Sequence, residues 1–243
     1  MERGSDNISA DEGASVLQWW AEAGVDTIID EAPRDWLRPA PAKVDAGASA
    51  GPPDAPAEEL PGQLNLFQAW LASSDRLSFA APSAPRVCPS GDPAAGLMIL
   101  TDMPAAEDCS SLTLISGEAG RLFDRMLAAI GRDRSSIYLA ALSCIRSPDG
   151  RFNSAAAKSC AALARHHIGL AMPRAVLLLG DGASKAMVGL PVMQARGRWH
   201  EIATHAGPVK ALVTLPPSYL LSQPAAKAHA WADLQMLIEE VNR

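Results

Sequence analysis

The segment Ala211-Leu212-Val213-Thr214-Leu215-Pro216-Pro217-Ser218-Tyr219-Leu220-Leu221 is a short apolar run stopped by two prolines, and Ser222-Gln223-Pro224 separates it from a helical stretch carrying Trp231. Outward from it, the same kind of run recurs at Leu97–Thr101, Ile137–Leu142 and Ala175–Leu179. Helical segments lie between these runs at Ala119–Ile130, Ala155–Leu170 and Gly182–Val188, and the last, Ala225–Val241, closes the chain. Short strands that are apolar throughout and alternate with helices predict a parallel sheet covered on both faces. The expected fold class is α/β, a three-layer α/β/α sandwich around a central, mostly parallel four-stranded sheet. Ligands of such sheets bind beyond the carboxyl ends of the strands, which is where Asp102, Ala140 and the Pro216 loop fall.

Ahead of this body the composition changes twice. Residues 1–39 are amphipathic and rich in tryptophan: Val16, Leu17 and Trp20 share a helical face before Gly24, a candidate C-cap, and Ile28, Ile29, Trp36 and Leu37 follow around Pro33. Residues 40–61 are rich in Ala, Pro, Gly and acid, the composition of a flexible linker. Residues 62–243 make up the α/β domain. Trp19, Trp20 and Trp36 are candidate partner-binding residues, because a tethered helix with tryptophan anchors suits a groove. Packing of the same helix on its own domain is the alternative.

Of the 243 residues 48% are hydrophobic, enough for a sizeable core. No apolar run approaches the ~20 residues needed to span a bilayer. Met1–Gly13 is polar and acidic, without the apolar centre of a signal peptide, so a cytoplasmic protein with no membrane association is expected. Residues 1–60 hold 13 acidic and 4 basic residues of the chain's 27 and 21. The rest is therefore mildly basic, compatible with phosphate contacts and also with an ordinary soluble domain. The four cysteines are unclustered, which argues against a disulfide framework.

From Gly91 to Leu237 a set of short motifs stands in a distinctive order. Gly91-Asp92-Pro93 and the Leu97–Leu100 run lead into Thr101-Asp102-Met103-Pro104. Gly117-Glu118-Ala119-Gly120 ends sixteen residues after Pro104 and opens a helix with Leu122, Phe123, Met126 and Leu127 on one face. Then come Ile137–Cys144, a turn with Pro148, a helix with Cys160, Ala175–Gly180 with Ala183 and Lys185-Ala186 beyond it, and Gly197-Arg198-Trp199. This order resembles family 4 of the uracil-DNA glycosylase superfamily. Thr101-Asp102-Met103-Pro104 stands where that family has Gly-Glu-Ala-Pro, and Pro216–Leu221 where it has His-Pro-(Ser/Ala)-Tyr-Leu-Leu. The resemblance implies a glycosylase fold and a role in DNA repair or replication, with weak to moderate binding of DNA.

Excision of a base requires extruding it and gripping its edge. The resemblance implies that the family's acid falls on Asp102, its uracil-stacking phenylalanine on Ile115, its edge-reading asparagine on Ala140 and its catalytic histidine on Pro216. Thr101 and Pro104 complete the motif-equivalent pocket, and Pro217, Ser218 and Tyr219 form the candidate DNA-contact loop, although Tyr219 could equally pack that loop. Only Asp102 keeps suitable chemistry, and it also reads as a solvated loop aspartate or a cap to the turn at Pro104. Ile115 has no π face, Ala140 offers no hydrogen bond, and Pro216 cannot donate to developing charge. Loss of one electrostatic stabiliser costs ~2.7–4 kcal/mol of barrier. Uracil excision, the hydrolysis of an N-glycosidic bond, is therefore expected to be lost or strongly reduced. Glu107, Asp108, His200, Glu201 and His205 are the groups that would have to substitute, and otherwise read as loop charges. His166 and His167 are adjacent in a helix and do not share a face, which argues against a paired metal site.

Many family 4 members hold a four-iron cluster, which requires four thiolates. Cys144 and Cys160 fall on the downstream pair. Leu71–Phe79, where the upstream pair is expected, has no cysteine, and Cys88 and Cys109 stand elsewhere. The expectation is no cofactor, with Cys144 and Cys160 as remnants of a cluster site that fill space as small buried residues. A second function class remains open, a non-catalytic interaction subunit on the same fold. The front end bears some likeness to the N-terminal peptide of the psi subunit of the replicative polymerase clamp loader, whose Asp-Leu-Pro after a strand parallels Asp102-Met103-Pro104. Its partner would be a replication or repair protein.

Overall fold

The apolar runs form strands, and alternation along them decides which helix covers which face. A computed structural model describes residues 60–241. Among them the strands are β1 (Ser90–Gly91), β2 (Leu97–Thr101), β3 (Tyr138–Ala141), β4 (Ala175–Leu179), β5 (Trp199–Thr204) and β6 (Gly207–Thr214). They make one sheet in the order β1-β3-β2-β4-β6-β5. β3, β2, β4 and β6 run parallel, as expected for the central four strands. The sheet is wider than that expectation, because β1 pairs antiparallel with β3 and β5 antiparallel with β6. β5 is an edge strand in which only Ile202 is fully buried, so it carries no continuous apolar run.

The described helices are α1 (Leu64–Ser73), α2 (Ala106–Ser111), α3 (Gly117–Ala129), α4 (Ser154–Ala171), α5 (Asp181–Val188), α6 (Val192–Ala195), α7 (Pro217–Ser222) and α8 (Lys227–Val241). On β2, Leu97 and Ile99 face one side with Phe123 and Leu127 of α3 and Leu234 and Leu237 of α8. Met98 and Leu100 face the other with Cys160, Ala164 and Ile168 of α4 and Ala183 and Met187 of α5. This is the three-layer sandwich that the period-2 alternation of side chains requires. The chain leaves β2 for β3 on one side and returns to β4 on the other, so the crevice for a ligand lies beyond the carboxyl ends of β2 and β4.

A smaller cluster unites Phe67 and Leu71 of α1 with Leu77, Cys144 and Ile145, and Leu60 packs against it. The Pro61 carbonyl meets His166 Nε2 at 2.9 Å. The last two residues of the expected linker are thus part of the packed body. The remainder of the linker and the tryptophan-rich segment, with Trp19, Trp20 and Trp36, lie outside the described residues. No described helix is long and apolar enough to cross a membrane.

Candidate functional site

Asp102 follows the last residue of β2, and its side chain reaches across the crevice. Oδ2 accepts the Gly182 N–H at 3.1 Å and Oδ1 accepts the Ala183 N–H at 2.5 Å. Asp102 therefore caps the start of α5 and not the turn at Pro104. Unsatisfied N–H groups at a helix start favour an anion, and here the chain supplies its own. Two glycines make room: a Cβ on Gly182 would lie 2.7 Å from the Asp102 carboxyl carbon, and one on Gly180, at φ +103, 3.0 Å from Oδ2. Burial pushes the Asp102 carboxyl above its ordinary value, against the opposing pull of the Ala183 and Gly182 amides. Gly180-Asp181-Gly182 after β4 was the signal in the sequence for this close approach.

Thr101 is held in the sheet between Ala141 and Leu179. Pro104 is buried and its carbonyl accepts from Arg146 Nη1 at 3.0 Å. The segment that follows is tied down by Asp108, which is buried and accepts from the Ala105 amide, the Ser116 amide and the Ser116 hydroxyl at 3.0, 2.7 and 2.6 Å. Asp108 is thus engaged in shaping the loop. Glu107 is exposed and folds over Gly117.

Ile115 is buried and adopts φ 53, a left-handed conformation that is an outlier for a β-branched residue. Arg134 holds it there: Nη1 donates to the Leu114 carbonyl at 2.8 Å and Nη2 to the Ile115 carbonyl at 2.7 Å. Gly120 permits the turn, since a Cβ there would sit 2.5 Å from the Ile115 oxygen. Arg134 has no motif around it in the sequence and is recognised only from the fold.

Ala140 and Ile115 are not brought together. Ala140 is fully buried on the α4/α5 face with Met98 and Leu100, whereas Ile115 lies on the α3/α8 face. The neighbouring Ala141 packs on the Ile115 face. The methyl group of Ala141, like that of Ala140, forms no hydrogen bond.

Pro216 is the N-cap of α7 and Pro217 its first residue, a position suited to a missing N–H. The loop before it is anchored by Thr214, whose hydroxyl donates to Asp233 Oδ2 at 2.8 Å, while Arg196 pairs with the same carboxylate at 2.9 Å. Leu220 packs inward with Leu215 and Ala230. Ser218 is exposed, and Tyr219 is 43% exposed. His205 lies in the turn before β6, at the opposite end of that strand from Pro216, with its ring 5.1 Å from that of His166. His200 Nε2 is 2.7 Å from the Ala195 carbonyl, and Glu201 is exposed on edge strand β5. Chemically the arrangement offers one carboxylate already bonded to two amides, apolar cover from Ile115 and Ala141, and a proline ring.

Residues 88–235 match the model of the uracil DNA glycosylase superfamily. The chain belongs to that superfamily. Within the superfamily it is family 4-like: it is 25% identical over 153 residues to the type-4 uracil-DNA glycosylase of Pyrobaculum aerophilum, an alignment covering 60% of this chain and 78% of that protein.

A four-iron cluster of the family 4 kind does not fit the residues present. Cys144 and Cys160 line a cavity of about 20 Å³ together with Phe67, Leu71, Leu77 and Ser78, room for about one water. Cys144 Sγ lies 3.6 Å from the Leu71 carbonyl oxygen, the bond its thiol donates. Burial pushes the Cys144 thiol up to about 11 and raises Cys160 as well. Among the described residues no three His, Cys, Asp or Glu side chains are grouped to hold a metal ion. Beside this cavity, Gln68 Nε2 donates to the Tyr138 hydroxyl and that hydroxyl meets His167 Nε2, both at 2.7 Å. The adjacent histidines therefore part: His167 is buried in this relay, and His166 faces Pro61.

Proposed function

We infer that this chain is a DNA-binding protein on a uracil-DNA glycosylase fold whose uracil excision is lost or strongly reduced. The observation that carries the reading is the engagement of both Asp102 oxygens by the amides of α5. A carboxylate in that state caps a helix, and two of its roughly four lone-pair sites are already taken. The other positions reinforce this. Ala140 cannot read a base edge, Ile115 cannot stack as a ring does, and Pro216 cannot stabilise a departing base anion, a contribution worth ~2.7–4 kcal/mol where a donor is present. Asp102, Thr101, Pro104, Ile115 and Pro216 are then the remains of a pocket, and Pro217, Ser218 and Tyr219 a loop able to touch DNA. This reading includes no iron–sulfur cluster, a proposal supported by the apolar company that Phe67 and Leu71 of α1 give Cys144 and Cys160.

The family supports a role in DNA repair. A role as an interaction subunit in replication rests on Trp19, Trp20 and Trp36, outside the described residues, and on the thin likeness of Asp102-Met103-Pro104 to the psi subunit. Binding and excision measured on the same uracil-containing oligonucleotide test the reading. Binding no tighter than micromolar at physiological salt, without uracil release, is the expected result; nanomolar binding or efficient release overturns it.

A further inference from the structure

A cleft of about 880 Å³ opens between the loop after β3, α4 and the start of α5, with Asp102 among its lining residues. Ile115 and Pro216 do not line it, and Asp102 is the residue it shares with the remains of the base pocket. Its walls carry four cations, Arg151, Lys158, Arg165 and Lys185, against two carboxylates, Asp102 and Asp181. Both carboxylates are engaged: Asp102 by the α5 amides, and Asp181 by Lys185 and by the Val192 amide at 3.0 Å. Asp149, close by in sequence, accepts from the Ser147 hydroxyl and the Arg151 amide.

The cations divide into two kinds. Arg165 donates to the Ala186 carbonyl at 2.9 Å and ties α4 to α5, and Lys185 is paired to Asp181. The side chains of Arg151 and Lys158 are exposed; Asp149 attracts Arg151 electrostatically, and neither cation is tied to the backbone as Arg165 is. Lys158, Ala161 and Arg165 recur at helical spacing and so share one face of α4; the small Ala157 and Ala161 keep that wall open. Phe152, half-buried against Phe79 with ring centroids 6.1 Å apart, supplies an aromatic surface in the same cleft. Cations that track a backbone beside an aromatic platform are what a single strand of nucleic acid requires. A cleft of this size admits roughly one or two nucleotides and no duplex.

We propose that this cleft binds single-stranded DNA, with Arg151 and Lys158 on consecutive phosphates and Phe152 against a base. The proposal rests on the DNA-binding reading above and names the form of DNA and the surface that holds it.

The test uses the full chain and fluorescence anisotropy of a short labelled oligothymidylate, a hairpin duplex and, as competitors, thymidine monophosphate and inorganic phosphate. Two double variants are compared with wild type: R151A/K158A in the cleft and R132A/R174A near the amino ends of β3 and β4. The expected result is preference for the single strand, weakened roughly tenfold in R151A/K158A, with the salt dependence of log K falling by about 1.4 for two lost phosphate contacts. R132A/R174A should bind as wild type. Single-strand binding unchanged in R151A/K158A overturns the cleft while leaving the DNA-binding reading standing. Preference for duplex, or a nucleotide that binds where the oligonucleotide does not, overturns the single strand as its occupant. Absence of all DNA binding at low salt overturns both.

Discussion

The Ala183 amide donates to the Asp102 carboxylate at 2.5 Å, joining the carboxyl end of β2 to the first turn of α5 across the gap between β2 and β4. An asparagine at 102 has one acceptor oxygen for two N–H donors and turns an NH2 towards one of them. Asp102→Asn should therefore lower stability by about 1–3 kcal/mol, the range for a hydrogen bond to a charged group and a donor left unsatisfied. Urea unfolding of the variant checks this. Gly182→Ala should act in the same direction, because its Cβ would meet the Asp102 carboxyl carbon at 2.7 Å. Unchanged stability in both would remove the helix-capping role.

The two alanines at the end of β3 should respond differently to the same substitution. Ala140→Asn places an amide in the apolar layer of Met98, Leu100 and Ala161, where an unpaired polar group costs about 1–3 kcal/mol. Ala141 is only partly buried, at the crevice end of the strand, and Ala141→Asn should be tolerated with a smaller loss. Thermal unfolding of the two variants side by side is the measurement. Restoring the family's polar groups would take Ala140→Asn together with Pro216→His, and the first of these carries this cost.

Acid sensitivity should trace to His167. Burial, aided by His166, lowers its pKa to about 4, against an ordinary value of 6.5. In the unfolded chain the imidazole takes up a proton as pH falls through 6.5; in the folded chain it stays neutral until about 4. Its contribution is therefore intact above pH 6.5 and is lost progressively between 6.5 and 4, on the order of 3 kcal/mol in total. His167→Gln keeps an acceptor for the Tyr138 hydroxyl and removes the titration. Urea unfolding from pH 7.5 to pH 5 should show wild type losing more stability than His167→Gln; parallel curves would contradict the assignment.

The central sheet was legible because Leu97–Thr101 and Ala175–Leu179 are buried on both faces, leaving period and length as sufficient signals. β5 was not, since Trp199–Thr204 mixes His200 and Glu201 with Ile202, as a half-exposed edge strand does. The site was legible as a list of motif positions but not as an arrangement. Residue spacing places Ala140 after Tyr138 and Leu139, and only the register of β3 against β2 shows that its side chain points away from Ile115. Likewise Asp102 was a candidate acid or cap, and its partner Ala183, 81 positions later, became visible only when β4 was set beside β2. Arg134, which braces the strained Ile115, has no sequence pattern at all.

The thiols give a separate check. Anaerobic incubation with iron and sulfide should leave the protein colourless and its thermal midpoint unchanged, because a four-iron cluster needs four thiolates and the cavity is lined by Cys144 and Cys160 amid Phe67, Leu71 and Leu77. In the folded protein Cys144 should be alkylated more slowly than the half-buried Cys109. A reconstituted cluster with the corresponding visible absorbance would contradict this.

The most direct test of the account is single-turnover uracil release from labelled single-stranded and duplex oligonucleotides, with excess protein and alkaline cleavage of the abasic product. The account predicts that wild type and Asp102→Asn both stay at the no-protein background over many hours. Release by wild type well above that background, abolished in Asp102→Asn, would show that the carboxylate still acts on substrate, and would contradict this reading of the site.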